Sequence, residues 1–189
     1  MNHLILASSS IYRQQLLKQL GFEFTSIKPN VDESPNLQET PTNLVKRLAN
    51  DKANVIAIEH PSAFVIGSDQ IAVFEEQIIG KPLNFNSAKD QLTKFSGNTI
   101  DFLTGVSLIC IEKNVCEYQL SRVTVEFRHL TESEITCYLN LDEPLDCAGS
   151  FKIEAHGIRL FESVKSDDPS SLQGLPLIAV NKMLKNSGF

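Results

Sequence analysis

SAFVIGSDQIAVFEEQIIGKP (residues 62–82) begins as a long apolar strand that turns back on itself instead of running into a helix. Residues 62–74 are small, apolar or β-branched apart from Asp69 and its neighbours. FEEQIIGKP then reads as a tight hairpin return. That return decides the fold class. Toward the N-terminus strands and helices alternate, but at this hairpin the pure βαβ alternation fails. The sheet must therefore mix parallel and antiparallel neighbours within an α/β protein.

Residues 3–7 read as a buried strand that breaks into three serines. Residues 9–20 follow as a helix, with Leu16, Leu17 and Leu20 on one side and Gly21 as its stop. FEFTSIKP (22–29) alternates and predicts a second strand, and residues 30–39 a polar loop. Thr40-Pro41 is a helix start, threonine capping and proline in the first position, for a helix to about His60. C-terminal to the hairpin, FNSAKDQLTKFSG predicts a short helix. Residues 99–127 predict two long strands joined near Glu112-Lys113-Asn114. LTESEITCYLNL predicts a helix with a Thr131–Glu134 capping box. CAGSFKIEAHGIRLFESVKS reads as a loop and then a strand, and GLPLIAVNKMLKNSGF as a proline-started helix. No repeat, low-complexity tract or long linker interrupts this order, and no composition shift marks a boundary.

The chain of 189 residues has 17 Lys and Arg against 23 Asp and Glu, a net charge of −6. That balance argues against broad nucleic-acid binding, which needs a dense basic face. No apolar run is long enough to span a bilayer, and the N-terminal one is too short for a signal-peptide core. The expectation is a cytoplasmic protein without a membrane or nucleic-acid partner. Cys110, Cys116, Cys137 and Cys147 form no CxxC pair, and the four histidines are dispersed. The thiols are expected to be mostly small core residues, not a disulfide framework or a zinc site.

Several residues sit where a fold alone would not put them. Helical spacing places Lys52 on the apolar stripe of Leu44, Val45, Leu48, Ala49, Val55 and Ile56. It is either an edge lysine with a packed stem or a cation aimed at a cleft. Asp69 shares one strand face with Val65, Gly67, Ile71 and Val73. A buried carboxylate there must find a cation, a metal or a proton; the alternative is an Asp capping a turn. Glu33, beside Asp32 in the loop after the second strand, gains meaning only if it faces Asp69. Lys81 is held between Gly80 and Pro82 in a stiff turn or simply exits a hairpin. Ser8, Ser10 and the helix start behind them are a cap or a seat for an anion. No Walker motif, dinucleotide GxGxxG or nucleophile elbow is present. One arrangement accounts for most of these residues. Hydroxyl and amide donors with Arg13, Lys52 and Lys81 would hold phosphates. Glu33 and Asp69 would hold Mg²⁺, or one of them would activate water.

SSSIYR, VDES, the helical Lys52, GSDQ, GKP, Thr104-Gly105, CAGSFKIE and GLPL occur in the order found in the Maf-type nucleoside triphosphate pyrophosphatases. The chain resembles that family along essentially its whole length. The resemblance implies a single domain over residues 1–189, with a mixed twisted sheet flanked by helices and two lobes around a central cleft. It also implies hydrolysis of a nucleoside triphosphate to the monophosphate and diphosphate with Mg²⁺ or Mn²⁺, and a homodimer. Asp69 resembles the family's general base. Arg13, Glu33, Lys52 and Lys81 resemble its phosphate- and metal-handling set, and Ser8 and Ser10 its phosphate-binding turn. Tyr12, Gln70 and Glu154 look like the branch that hydrolyses 7-methyl-GTP and so limits incorporation of modified nucleotides. That branch often has tryptophan at the position of Tyr12. A methylated guanine is cationic, and a cation on an aromatic face gains roughly 0.5–2 kcal/mol. A carboxylate at Glu154 can accept from guanine N1–H and the 2-amino group. Alternatives are the same chemistry on dTTP or UTP, and a non-catalytic nucleotide-binding regulator of septum formation.

Overall fold

A computed structural model describes residues 3–189. Its strands are β1 (Leu4–Ala7), β2 (Thr25–Ile27), β3 (Phe64–Phe74), β4 (Gln77–Ile79), β5 (Thr99–Cys110), β6 (Val115–Phe127) and β7 (Phe161–Ser166). Its α-helices are α1 (Ile11–Lys18), α2 (Pro41–Glu59), α3 (Phe85–Phe95), α4 (Glu132–Asp142) and α5 (Leu177–Asn186). The strands form one mixed sheet in the order β2-β1-β3-β5-β6-β7, and β4 pairs with β3. β1 is parallel to both β2 and β3, whereas β4 runs antiparallel to β3 and β7 to β6. The mixed α/β class follows, with the hairpin at residues 74–77 as one source of antiparallel pairing and the β6–β7 pair as another.

The chain divides into two compact units. One comprises residues 1–70, 104–121 and 168–189, the other residues 71–103 and 122–167. In the first, the period-two alternation of β1 sends Leu4 and Leu6 to one face and Ile5 and Ala7 to the other. Leu4, Leu6, Phe64 and Ile66 pack with Leu16 and Leu17 of α1 and with Val180, Met183 and Leu184 of α5. Ile5, Ala7 and Val65 pack with Ala53, Ile56 and Ala57 of α2. The helices after β1 and after β2 therefore cover opposite faces. β2 and β3 flank β1 on its two sides, which makes a topological switch point at the carboxyl end of β1. In open α/β sheets ligands bind outside such points.

In the second unit the core is aromatic. Phe127 and Phe161 stand edge-on with centroids 5.0 Å apart, and Phe151 and Phe161 at 4.9 Å. α4 starts with the expected capping box, Thr131 Oγ1 accepting from Glu134 N–H and Glu134 accepting from Thr131 N–H. Four details correct the sequence reading. Helix 9–20 is trimmed to Ile11–Lys18, because Ser10 caps it and residues 19–21 unwind into turn. Strand 22–29 pairs only over Thr25–Ile27, which is the length opposite β1. The loop of residues 147–160 contains two short 3-10 turns. Only Cys110 is a core thiol; Cys116 and Cys137 are exposed and Cys147 is half-buried. Cys137 falls on a face of α4 that the apolar residues leave to solvent.

Candidate active site

Gly67 allows the site to form. A Cβ there would sit against the carbonyl oxygen of Ala49 and 2.5 Å from the amide nitrogen of Ala53, both backbone atoms of α2. Without that Cβ the helix lies directly on β3. Lys52, between those two alanines in the chain, then reaches Asp69, the next residue along the same strand face. Lys52 Nζ lies 2.7 Å from Asp69 Oδ1 and 2.6 Å from Glu33 Oε1. The side chains of Lys52 and Asp69 are 7% and 10% exposed, that of Glu33 54%. The lysine is thus a buried cation held between two carboxylates, not a stripe-edge residue with its head in water. The loop bearing Glu33 is tied to α2 by Arg47, which forms a two-point bond to Glu39 (2.8 and 2.9 Å) and donates to the carbonyl of Ser34 (2.9 Å). That pairing brings Glu39 down to about 2.

The opposite face of β3 holds a second set. Ser10 is the N-cap of α1, accepting from Arg13 N–H, and its own N–H donates to the buried Ser8 Oγ at 3.1 Å. The cap reading therefore stands, and it leaves the hydroxyl protons of both serines uncommitted to these bonds. Arg13 Nε donates to Gly174 O at 2.8 Å. Gly174 has φ of +96°, and a Cβ there would lie 3.3 Å from Arg13 Nε, so glycine meets both the backbone and the space requirement. Ser68 Oγ, fully buried, lies within donating distance of Gly105 O (2.8 Å) and Gly174 O (3.0 Å). Gln70 Nε2 donates to Thr104 Oγ1 (3.0 Å) and Ser171 O (2.7 Å), so its amide protons are spent on the scaffold.

Burial lowers the pKa of Arg13, against the negative charge of Asp69 and Glu33, which raises it. A guanidinium keeps its proton through any such shift. Arg13 and Lys52 against Asp69 and Glu33 make a group that is neutral overall. Two cations so matched cannot by themselves offset a polyphosphate. Among the described residues Asp69 takes its side-chain hydrogen bond from Lys52 through Oδ1, and Oδ2 is the oxygen that can turn to water or metal.

The chain matches the family model described as Maf-like protein over residues 3–187. It belongs to that family. It is 48% identical over 189 residues to a protein of Xanthomonas oryzae pv. oryzae (strain MAFF 311018) named 7-methyl-GTP pyrophosphatase, covering 100% of this chain and 98% of that one. A protein of the same name from Colwellia psychrerythraea is 46% identical, covering 100% and 94%. Among solved structures, a HAM1 protein from Coxiella burnetii matches with a TM-score of 0.54 over 98% of this chain and 100% of its own. The Staphylococcus aureus Ham1 protein gives the same score over 98% and 99%. Both are 12% identical and share the fold alone.

In this Maf-like chain the first unit contains Ser8, Ser10, Tyr12, Arg13, Glu33, Lys52, Asp69 and Gln70; the ion pairs join Glu33, Lys52 and Asp69, and Arg13 feels the charge of both carboxylates. Tyr12 is half-buried in the first turn of α1. Lys81 and Glu154 belong to the other unit, and both are exposed. Residue-by-residue reading passed over Ser68, Gly174 and Arg47. Ser68 carried a signal, because alternation puts it opposite Asp69 on a strand with no solvent face. Gly174 and Arg47 act through long-range contacts that no local pattern encodes.

Proposed function

We propose that this chain hydrolyses 7-methyl-GTP to 7-methyl-GMP and diphosphate, and that it works in the cytoplasm on the free nucleotide pool. The observation that carries the reading is the buried Asp69–Lys52 pair, capped by the exposed Glu33, beside Arg13 at the switch point of the sheet. A binding module does not need a base beside the phosphate cations, whereas a hydrolase needs one to take a proton from water. In this reading water attacks the α-phosphorus and the bond to the β-phosphoryl oxygen breaks. Asp69 Oδ2 accepts the proton of the attacking water. Lys52 pairs with Asp69 and aims it, and Arg13 and Lys81 stabilise charge that accumulates on the departing diphosphate.

Glu33 and Asp69 suit a divalent cation such as Mg²⁺ or Mn²⁺, which takes one or two carboxylates and completes its shell from substrate phosphates. Among the described residues no group of three or more His, Cys, Asp or Glu is arranged to hold a metal ion, so substrate oxygens would have to complete the shell of a cation on Glu33 and Asp69. When bound, the cation supplies the positive charge that the neutral four-residue group lacks. Ser8 and Ser10 offer hydroxyl donors to phosphate oxygens. Tyr12 offers a ring face suited to the cationic base, and Glu154 a carboxylate suited to its N1–H and 2-amino group. Gln70 keeps its carbonyl oxygen for the nucleoside.

Diphosphate release from 7-methyl-GTP, GTP, dTTP and UTP, with Mg²⁺ or Mn²⁺ and with chelator, tests this. 7-Methyl-GTP is expected to be turned over best, Asp69→Asn to lose at least a hundredfold in kcat, and chelator to stop release. Equal turnover of dTTP and 7-methyl-GTP would sink the specificity, and wild-type rates in Asp69→Asn would remove the base.

A further inference from the structure

The turn that carries Glu154 is fastened at both ends to the C-terminus of α4. On its leading side Lys152 N–H donates to Tyr138 Oη at 2.9 Å. Lys152 Nζ donates to the carbonyls of Asp142 (2.9 Å) and Glu143 (3.5 Å), oxygens at a helix end that lack intrahelical partners. On its trailing side His156 N–H donates to Asp142 Oδ2 at 3.0 Å, and His156 Nδ1 lies 2.6 Å from Asp142 Oδ1. The turn closes on itself through Gly157 N–H to Lys152 O at 2.9 Å. A Cβ at Gly157 would lie 2.5 Å from that same oxygen, so the closure requires glycine. Glu154 is the exposed acid between the two fastenings.

Asp142 is out of place as a helix residue. A carboxylate in the last turn opposes the helix dipole, and this one is only 2% exposed. Burial works to raise its pKa, and hydrogen bonds from the His156 ring, the His156 amide and Tyr138 outweigh that and hold it below the ordinary value. A buried anion at the unfavourable end of a helix costs stability unless its partners repay it. Its partners are the turn of residues 152–157. Both oxygens of Asp142 grip one residue, His156, two positions from Glu154, through backbone and ring together. That two-point grip fixes the backbone at Glu154, not merely the surface packing of a loop.

We propose that Asp142 and His156 are positioning residues that aim the Glu154 carboxylate and thereby set the preference for the methylated base; this rests on the reading of Glu154 as the acid that meets the base edge. His156→Asn retains a donor nitrogen where Nδ1 stands, whereas His156→Leu removes it. The measured quantity is the ratio of kcat/KM for 7-methyl-GTP to that for dTTP, with Mg²⁺. His156→Leu is expected to lower the ratio about tenfold, the scale of one charge-assisted hydrogen bond. The loss should appear in KM for 7-methyl-GTP, with kcat on dTTP unchanged. His156→Asn is expected to stay within about twofold of wild type. In a Glu154→Gln background, His156→Leu is expected to change the ratio no further. Asp142→Asn, which keeps shape and removes charge, is expected to follow His156→Leu and serves if the leucine variant does not fold. A ratio unchanged in both His156→Leu and Asp142→Asn, while Glu154→Gln shifts it, overturns the positioning role and leaves Glu154 standing. An equal effect of His156→Leu with and without Glu154 overturns it too. An unchanged ratio in Glu154→Gln overturns the reading of Glu154 itself, and the positioning role with it.

Discussion

At the scale of the residue, Lys52 carries two burdens that can be separated. It neutralises Asp69 where water hardly reaches, and it aims that carboxylate. Removing one partner of a buried ion pair leaves an uncompensated charge, at a cost of about 3–5 kcal/mol. Arg13 and its field remain beside Asp69, so Lys52→Met is expected at the low end, about 3 kcal/mol, read from urea unfolding. Lys52→Met/Asp69→Asn replaces the pair by groups that need no counter-charge. It is expected to regain most of that stability while releasing no diphosphate. If the double variant is as unstable as the single one, burial of an unmatched charge is not what Lys52 prevents. Lys52 and Asp69 stand out in the sequence because both interrupt apolar patterns. Glu33 does not, since an acid in a polar loop is ordinary. Its meaning comes from a partner 19 positions away, reached at 2.6 Å.

At the scale of the element, the contact of α2 with β3 converts two patterned segments into a site. α2 was legible as a helix through Thr40-Pro41 and its stripe, and β3 through its β-branched run. What the patterns do not encode is how closely the two approach, because that depends on an atom Gly67 lacks. Gly67→Ala places a Cβ against helix backbone at Ala49 and Ala53, which no side-chain rotation relieves. Overpacking of this kind costs about 1–3 kcal/mol. It also lifts Lys52 from Asp69, so kcat for diphosphate release is expected to fall about tenfold or more in a protein that still unfolds cooperatively, since misplacement by about an ångström is costly to catalysis. A folded Gly67→Ala enzyme with wild-type kcat would show that the helix can shift without moving the lysine. The same limit explains why the segment of residues 147–160 read only as a loop. Its 3-10 turns and its fastening to α4 depend on Asp142 and Tyr138, which belong to another element.

At the scale of the whole molecule, the division into two units runs inside β3, β5 and β6, at residues 70–71, 103–104 and 121–122. Strand patterning continues unbroken through those points, so no shift of composition could mark a boundary. The charge balance is the other whole-molecule property with a functional consequence. The chain is at −6, and the Arg13, Lys52, Asp69 and Glu33 group adds no net positive charge for a polyphosphate. Tight binding of the nucleotide should therefore depend on a divalent cation, and the folded state should report it by mass action. A non-hydrolysable α,β-methylene analogue of 7-methyl-GTP at a hundred times its Kd is expected to add about 2.7 kcal/mol to stability. For a chain of this size that is a rise in Tm of roughly 5–10 °C. With chelator at the same analogue concentration the rise is expected to collapse to a degree or so. The dTTP analogue with Mg²⁺ is expected to give a smaller shift than the 7-methyl-GTP analogue. An undiminished shift in chelator would mean that the protein's own cations suffice, and would remove the metal from the binding step. A full, metal-dependent shift from a wild-type protein that releases no diphosphate would favour the regulator over the hydrolase, because it shows a complete nucleotide seat with Asp69 idle.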